Sequence, residues 1–204
     1  VSAVFARDGT LPRVDYQASL LDLGDVFCTE LSAIPNTTAY LHVKRSVGKL
    51  DGDRPKVGLC WAGNPNHDND RNRSLDLTLL EPLLDLPRID FFSLQVGSQA
   101  GEAVPGSKLQ KLPGELGDFL DTARFVAALD VVITVDSSIA HLAGALGQAA
   151  WVLLPYAPDW RWLLGREDSP WYPSTSLFRQ SQPGDWGVPV QEMCKKIVEN
   201  FDVI

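Results

Sequence analysis

One segment, residues 131–154 (VVITVDSSIAHLAGALGQAAWVLL), constrains the fold of this chain more than any other. It has the pattern of an apolar strand, a tight polar turn, a helix that stops at glycine, and a second apolar strand. The first turn of a helix has backbone N–H groups without intrahelical partners, and the helix dipole adds about half a positive charge there. The segment therefore predicts a helix end that favours an anion, such as the phosphate of a phosphorylated or nucleotide-linked ligand.

The same alternation of strand and helix patterns runs through much of the chain. Apolar runs bounded by Gly, Pro, Asn or Asp predict strands at residues 57–62, 90–94, 131–135, 150–154 and 176–178. Apolar residues at three- and four-residue spacing predict helices around residues 79–84, 119–126, 139–146 and 189–201. In the second of these helices the repeating positions are Phe119, Thr122, Ala123 and Val126. Because strands that are apolar throughout are buried on both faces, we predict an α/β fold with a Rossmann-like parallel sheet and helices on both faces.

The N-terminal part differs in kind from the rest. It offers one strand-like piece at residues 1–6 and a Leu-rich stretch at 20–31, without enough periodic material for a second core. The polar stretch 44–56, which contains Gly and Pro, is typical of a linker into the main domain. We therefore divide the chain into a short N-terminal part, residues 1–43, and one main domain, residues 44–204.

Composition excludes several classes of function. A net charge of −8 disfavours non-specific binding to nucleic acid, which needs a basic surface. Three widely spaced cysteines predict neither a disulfide framework nor a zinc site, which favours a reducing cytoplasm. No apolar stretch reaches the roughly 18 to 20 residues that span a bilayer, and the N-terminus lacks a signal-peptide pattern. We expect a cytoplasmic protein, and the start at Val1 rather than Met suggests a piece of a longer one.

Polar residues follow three of the predicted strands. Ligands of an open parallel sheet bind beyond the carboxyl ends of its strands, so these loops belong together. In the loop at residues 63–74, Gly63 permits close approach of a ligand to the backbone, and Arg71 and Arg73 offer planar donors for bidentate phosphate contacts. The alternative is a solvated loop whose arginines pair with nearby carboxylates: Asp68, Asp70 or Asp76.

The turn after the strand at 131–135 carries four candidate residues, Asp136, Ser137, Ser138 and His141. Asp136 has the side chain of a helix N-cap, a role that is compatible with ligand binding. The hydroxyls of Ser137 and Ser138 lie in the first turn, where they can donate to phosphate oxygens. A single histidine is usually structural, but His141 lies off the apolar stripe of its helix and is expected to point into the site or the neighbouring loop.

Two aromatic clusters follow the strand at 150–154, at residues 155–162 and 168–172. Their aromatic rings lie next to charged residues, including Asp159 beside Trp160. The rings could form a lid or a stacking surface for a ligand, or they could simply pack the loop onto the sheet. The sequence leaves both interpretations open.

Several common motifs are absent. The chain has no G-x-G-x-x-G dinucleotide fingerprint, no P-loop, no G-x-S-x-G nucleophile elbow and no cluster of His or Cys with metal-ligand spacing. We therefore expect no bound cofactor and no metal.

Four segments, in this order, resemble a known family: CWAGNPNHDNDRNRSL, FFSLQVG, FLDTARFVAALDVVITVDSSIAHLAGALG and VLLPYAPDWRWLLGREDSPWYPSTSLFRQ. They are similar to the C-terminal half of heptosyltransferase-like glycosyltransferases of the GT-B fold, glycosyltransferase family nine. The similarity runs from about Val1 to the C-terminus. The similarity is greatest to the branch of the family whose members follow tetratricopeptide repeats in the same chain, which implies such repeats upstream in the parent protein.

The resemblance implies a function for the candidate residues. The C-terminal domain of such enzymes holds a nucleoside-diphosphate sugar, with the diphosphate at the turn formed here by Asp136, Ser137, Ser138 and His141. Arg73 would meet the diphosphate as a catalytic residue, stabilising the departing nucleoside diphosphate, and Gln95 would lie near the base. Val96 departs from the polar or basic residue expected there. The remaining substrate-binding candidates are Gly63, Asn64, His67, Arg71, Asp159 and Trp160.

The resemblance also implies an inverting, metal-independent hexosyl or heptosyl transfer to an unknown acceptor. GT-B enzymes place the acceptor, and usually the catalytic base, on an N-terminal domain, of which residues 1–43 resemble only the tail and linker. We therefore expect these 204 residues to bind the donor but not to complete transfer alone. Two alternatives remain: a non-catalytic nucleotide-binding or interaction module with this fold, and a nucleotide-sugar epimerase.

Overall fold

The structure is a computed structural model that describes residues 3–5, 9–36, 39–44, 47, 50–102 and 108–202. The chain divides into two compact units, Val1–Ile34 and Pro35–Ile204. This division falls earlier than the boundary predicted after residue 43. The assignment of residues 1–43 to an acceptor-side domain remains a prediction.

In the part of the first unit that the structure describes, the secondary structure consists of short helical turns: a 3-10 turn at Leu20–Asp22, helix α1 at Leu23–Val26, and a second 3-10 turn at Leu31–Ala33. None of their side chains is buried. Residues 1, 2 and 6 of the predicted strand at 1–6 lie outside the described residues, and residues 3–5 form no strand.

The second unit contains a six-stranded parallel sheet, which confirms the predicted Rossmann-like α/β fold. The strands are β1 Lys56–Cys60, β2 Asp90–Ser93, β3 Leu109–Lys111, β4 Val131–Val135, β5 Ala150–Leu154 and β6 Thr175–Arg179. Their spatial order is β3-β2-β1-β4-β5-β6. The order of the strands therefore reverses between β1 and β4, which is where Rossmann-like sheets open a crevice for ligands.

The helices cover both faces of this sheet, as predicted. They are α2 Asp70–Arg73, α3 Glu81–Leu84, α4 Phe119–Val126, α5 Ser138–Ala145 and α6 Gly187–Phe201. Successive residues of β4 alternate between two cores: Ile133 packs in the core that contains Met193 of α6, and Val132 in the core that contains Phe125 of α4. The continuous apolar runs are thus explained, because the central strands have no solvent face.

The predicted strands at 131–135 and 150–154 match β4 and β5 residue for residue, and those for β1, β2 and β6 differ only at their ends. The prediction missed β3. This edge strand has only three residues, and Gln110 and Lys111 are exposed, so it lacks the apolar run that identifies a buried strand.

Among the described residues, no helix is both long and apolar enough to cross a bilayer.

A glycine inside α5 is required by close packing. A Cβ atom on Gly144 would overlap the ring of Tyr172, which packs against the helix there. In an open helix, Gly→Ala gains about 1 kcal/mol, whereas overpacking of a core costs about 1–3 kcal/mol. We therefore expect Gly144→Ala to lower the melting temperature in a thermal unfolding experiment. Gly101→Ala, at a position with open space around it, should leave the melting temperature nearly unchanged, and an equal or higher melting temperature for Gly144→Ala would contradict this packing.

Candidate functional site

A cleft of about 730 Å3 opens at the carboxyl ends of β1, β2 and β4, at the point where the strand order reverses. Its polar lining comes from the loop after β1 and the start of α5, and includes Gly63, Arg73 and Ser138. Its apolar lining comes from the loop after β2 and the start of α4, and includes Val96 and Phe119. This volume falls within the roughly 300–1,000 Å3 that is usual for small-ligand sites.

The N-terminus of α5 forms one wall of the cleft. The predicted cap, Asp136, is wrong: Ser137 is the N-cap, because it takes the extended backbone (φ −142°, ψ 174°) and its Oγ accepts from the Ile139 amide at 3.2 Å. The Ser137 hydroxyl also lies 3.0 Å from Thr134 Oγ1, so it is occupied by the protein. Ser138 is exposed in the cleft, and neither its amide nor its hydroxyl bonds any described residue. Of the two predicted serines, Ser138 is therefore the one free to donate to a ligand.

Arg73 connects the loop after β1 to the end of β4. Its Nε donates to Asp70 Oδ1 at 3.2 Å, and its Nη1 donates to the backbone oxygen of Asp136 at 2.9 Å. Only 12% of its side chain is exposed. These contacts fix the guanidinium beside the first turn of α5, with Nη2 left for other partners. From the sequence, pairing with a carboxylate and a place in the ligand site were alternatives for this arginine. The structure shows both, because Arg73 pairs with Asp70 and also lines the cleft.

Gly63 makes room for this guanidinium. A Cβ atom at this position would lie 2.6 Å from Arg73 Nη2 and 2.8 Å from Asp70 Oδ1. The Gly63 amide donates to Ser74 Oγ at 2.8 Å, and that hydroxyl donates to Asp70 Oδ1 at 2.9 Å. The loop is thus held by a small hydrogen-bonded network that includes the arginine.

Three other predicted residues of this loop are exposed. Asn64 lines the cleft and forms a local turn, its Oδ1 accepting from the Asn66 amide. His67 accepts from the Asn69 amide through Nδ1, and Arg71 is exposed; neither lines the cleft.

Gln95 is buried, and the hydrogen-bonding groups of its carboxamide contact the protein itself. Its Oε1 accepts from the amides of Trp61 and Ala62 at 3.1 and 3.0 Å. Its Nε2 donates to the backbone oxygens of Ala62 and Val96 at 3.1 and 3.2 Å. The side chain therefore joins the ends of β1 and β2 at the base of the cleft, and contact with a nucleobase remains a prediction.

Cys60 lies beside Gln95 at the floor of the cleft. Its Sγ is 3.5 Å from Gln95 Oε1 and 3.6 Å from the backbone oxygen of Ala62. Burial raises the pKa of this thiol, so the protonated form, whose single S–H can donate to either oxygen, is favoured.

His141 turns away from the cleft lining and contacts the neighbouring loop, one of the two orientations predicted for it. Its ring stacks on Trp162, with centroids 5.2 Å apart and planes inclined by 13°, and its Nδ1 lies 3.2 Å from Tyr172 Oη. Burial lowers the pKa of His141, although the charge of Asp136 opposes this shift. The ring is therefore neutral at pH 7.

The sequence left open whether the aromatic residues of the loop after β5 pack onto the sheet or form a surface for a ligand, and the structure shows both a buried and an exposed ring. Trp162 is completely buried and packs against the sheet, whereas Trp160 is 61% exposed. Asp159 Oδ1 accepts from the Arg161 backbone amide at 3.0 Å and pairs with Arg161 Nη1 at 2.9 Å. Asp159 and Trp160 belong to the loop whose Trp162 stacks on His141, but neither of them lines the cleft.

Some cleft residues were not predicted from the sequence. Phe119, placed there among the repeating positions of its helix, is 62% exposed and lines the cleft. The signal that could have found it is its position: it directly follows Asp118, which caps α4, so it lies at a helix end rather than under the helix. Gln99 and Leu116 also line the cleft. Within the described part of the chain, no group of three or more His, Cys, Asp or Glu side chains could hold a metal ion.

Comparisons with known proteins bear on the fold. No family model matches the chain. The chain is 32% identical over 191 residues to Protein FlbA of Caulobacter vibrioides, in a match covering 85% of this chain and 31% of FlbA. It superimposes with a TM-score of 0.51 and 17% identity on the E. coli ADP-heptose lps heptosyltransferase II, covering 74% of this chain and 47% of that one. The fold is that of a GT-B glycosyltransferase domain. The chain spans about a third of the length of FlbA and about half of the heptosyltransferase.

The buried carboxamide of Gln95 gives a test of its structural role. In Gln95→Ala, the amides of Trp61 and Ala62 lose their acceptor, and each buried unpaired group costs about 1–3 kcal/mol. We expect the free energy of unfolding, measured by urea denaturation, to fall by about 2 kcal/mol or more. Gln99→Ala, at the cleft rim, should change it by less than about 0.5 kcal/mol. Equal stability of Gln95→Ala and the unsubstituted chain would contradict this structural role of the carboxamide.

The neutral His141 predicts a dependence of stability on pH. Because its pKa is lower in the folded state than in the unfolded state, the unfolded state binds more protons near pH 6. Its contribution to stability is complete above about pH 6.5 and is lost as the pH falls through that value toward the folded-state pKa. We expect the melting temperature to drop between pH 7.5 and 5.5, and to drop less in His141→Gln. An identical drop in both proteins would contradict this assignment.

Proposed function

We propose that residues 44–204 are the nucleotide-sugar-binding domain of a glycosyltransferase and that the cleft holds a nucleoside diphosphate. The observation that carries the proposal is Arg73, whose guanidinium is fixed in the cleft by the backbone oxygen of Asp136, directly before α5. A fixed cation beside the N-terminus of a helix favours a multiply charged anion.

The donors around this position suit a diphosphate. Ser138 offers a free amide and a free hydroxyl, and Arg73 retains Nη2 for a further contact. Asp70 neutralises part of the arginine charge, but it accepts from Nε, so Nη2 keeps its hydrogen-bonding capacity among the described residues. Hydrogen bonds from a charged guanidinium to phosphate oxygens are among the stronger ones in proteins.

The apolar part of the cleft suits a nucleobase. Phe119 and Val96 are 62% and 50% exposed, although both belong to residue types that are normally buried. Stacking of a base on an aromatic ring contributes about 1–3 kcal/mol. A base placed near α4 leaves its phosphates directed to the gap between β1 and β4, where Arg73 and Ser138 lie.

The chemistry follows from these positions. When a sugar leaves a nucleoside diphosphate, negative charge develops on the departing phosphate oxygen, and a preorganised cation stabilises that charge. This is the role that we assign to Arg73. In this proposal a second domain of the parent protein, whose tail is residues 1–43, supplies the acceptor site, so the present chain binds the donor without transferring its sugar.

Calorimetric titration of the chain with UDP, ADP and GDP tests the proposal. We expect saturable binding of at least one of them, and in Arg73→Ala a Kd raised about 10- to 100-fold, since a hydrogen bond to a charged group contributes roughly 1.5–3 kcal/mol. Arg71→Ala, at an exposed arginine two residues away that does not line the cleft, is the matched control and should leave the Kd unchanged.

Because Arg73 also holds backbone, Ser138→Ala provides a second variant that removes only a free hydroxyl. We expect a Kd raised a few fold with an unchanged melting temperature. If no nucleoside diphosphate binds, or if Arg71→Ala and Arg73→Ala weaken binding equally, the donor site is refuted and a non-catalytic module with this fold becomes the better description.

A further inference from the structure

At the carboxyl ends of the strands, an exposed apolar surface, a group of hydrogen-bond donors and an aromatic loop follow one another along the sheet. The exposed Phe119 and Val96 lie by α4 and after β2, Arg73 and Ser138 lie between β1 and β4, and the loop that carries Trp160 follows β5. Strands β4 and β5 are neighbours, and adjacent strands are about 4.8 Å apart. An elongated ligand with its base near α4 and its phosphates at β4 therefore continues toward the loop after β5.

Trp160 is a fixed aromatic surface in that loop. The guanidinium carbon of Arg161 lies 4.6 Å from the centre of one of its faces, and the ring of Trp171 meets it edge to face at 6.1 Å. Trp171 is itself held by a hydrogen bond from its Nε1 to the backbone oxygen of Arg161 at 2.9 Å. Although the ring is braced in this way, 61% of Trp160 is exposed, so much of its surface is accessible to a ligand.

Polar groups flank this aromatic surface. Asp159 and Arg161 form an ion pair at 2.9 Å with 38% and 40% of their side chains exposed, so they offer both acceptors and donors to solvent. A sugar ring has an apolar C–H face bordered by hydroxyl groups that donate and accept. An indole face next to a carboxylate and a guanidinium matches that chemistry.

The loop is anchored before any ligand arrives. Arg179 at the end of β6 donates from Nη2 to the backbone oxygen of Trp162 at 2.5 Å and from Nε to that of Arg166 at 3.0 Å. Trp162 is fully buried against the sheet and stacks on His141 of α5. A site held in place in this way loses little entropy when it binds a ligand.

We propose that Trp160, together with Asp159 and Arg161, is the subsite for the sugar of a nucleotide sugar whose diphosphate lies at Arg73 and Ser138. This inference rests on the proposed function of the cleft. It assigns the recognition of the sugar to the loop after β5, on the far side of α5 from the base.

The subsite is tested by comparing each nucleoside diphosphate with its sugars in calorimetric titrations of the full chain. The probes are UDP, ADP and GDP, with UDP-glucose, UDP-N-acetylglucosamine, ADP-glucose and GDP-mannose. For a nucleotide sugar that binds, we expect Trp160→Ala to raise its Kd about 2- to 10-fold and leave the Kd of the matching nucleoside diphosphate unchanged. Trp160→Phe should restore part of the loss, and Leu164→Ala, at another exposed apolar residue of the loop, should change neither Kd.

The outcomes separate this subsite from the site on which it rests. Absence of binding by every nucleoside diphosphate and nucleotide sugar would refute both. A second outcome would refute only the sugar subsite. In that outcome a nucleoside diphosphate binds, and Trp160→Ala either leaves the Kd of the nucleotide sugars unchanged or raises the Kd of both kinds of ligand equally.

Discussion

Burial of the parallel sheet on both faces is the constraint on which the rest of this molecule depends. Strands β1, β4 and β5 have no solvent face, so side chains along them serve the cores, and a polar ligand can be met only beyond the strand ends. The reversal of strand order between β1 and β4 separates the loops that follow these strands and opens the cleft there. The candidate site is therefore a consequence of how the sheet is wound.

The polar residues at these strand ends are of two kinds: some have their polar groups paired within the protein, and others have donors that remain open to the cleft. Ser137 caps α5 and Gln95 joins β1 to β2, and both are buried. Ser138 and Arg73 keep donors directed to the cleft. A buried polar group costs free energy unless it is paired, so each free donor is supported by a neighbour whose own groups are satisfied. The rigidity of the site therefore comes from residues whose polar groups are paired within the protein.

The sequence predicted the fold well where burial decides the residue type. Strands β4 and β5 were predicted residue for residue because a fully buried strand must be apolar throughout, whereas the short polar edge strand β3 left no such pattern. Side-chain direction is harder to predict. An amide such as Gln95 can contact backbone or ligand, and only the structure shows that its oxygen accepts from the amides of Trp61 and Ala62. Phe119 fits a helical stripe in sequence, yet its place at the helix end exposes it.

Helix α5 connects the two halves of the candidate site, since its first residue lines the cleft and its interior contacts the aromatic loop through His141 and Gly144. This arrangement separates residues that can be varied from residues that cannot. Under the proposed function, a library intended to change sugar preference would randomise the exposed positions 156, 160 and 164 of the loop after β5. It would keep Gly144, Tyr172 and Arg179 fixed, because these residues determine where that loop lies relative to the helix. In the proposed arrangement, the residues that would meet the sugar and the residues that would bind the phosphates lie on separate elements, so the first set could be varied while the second is kept.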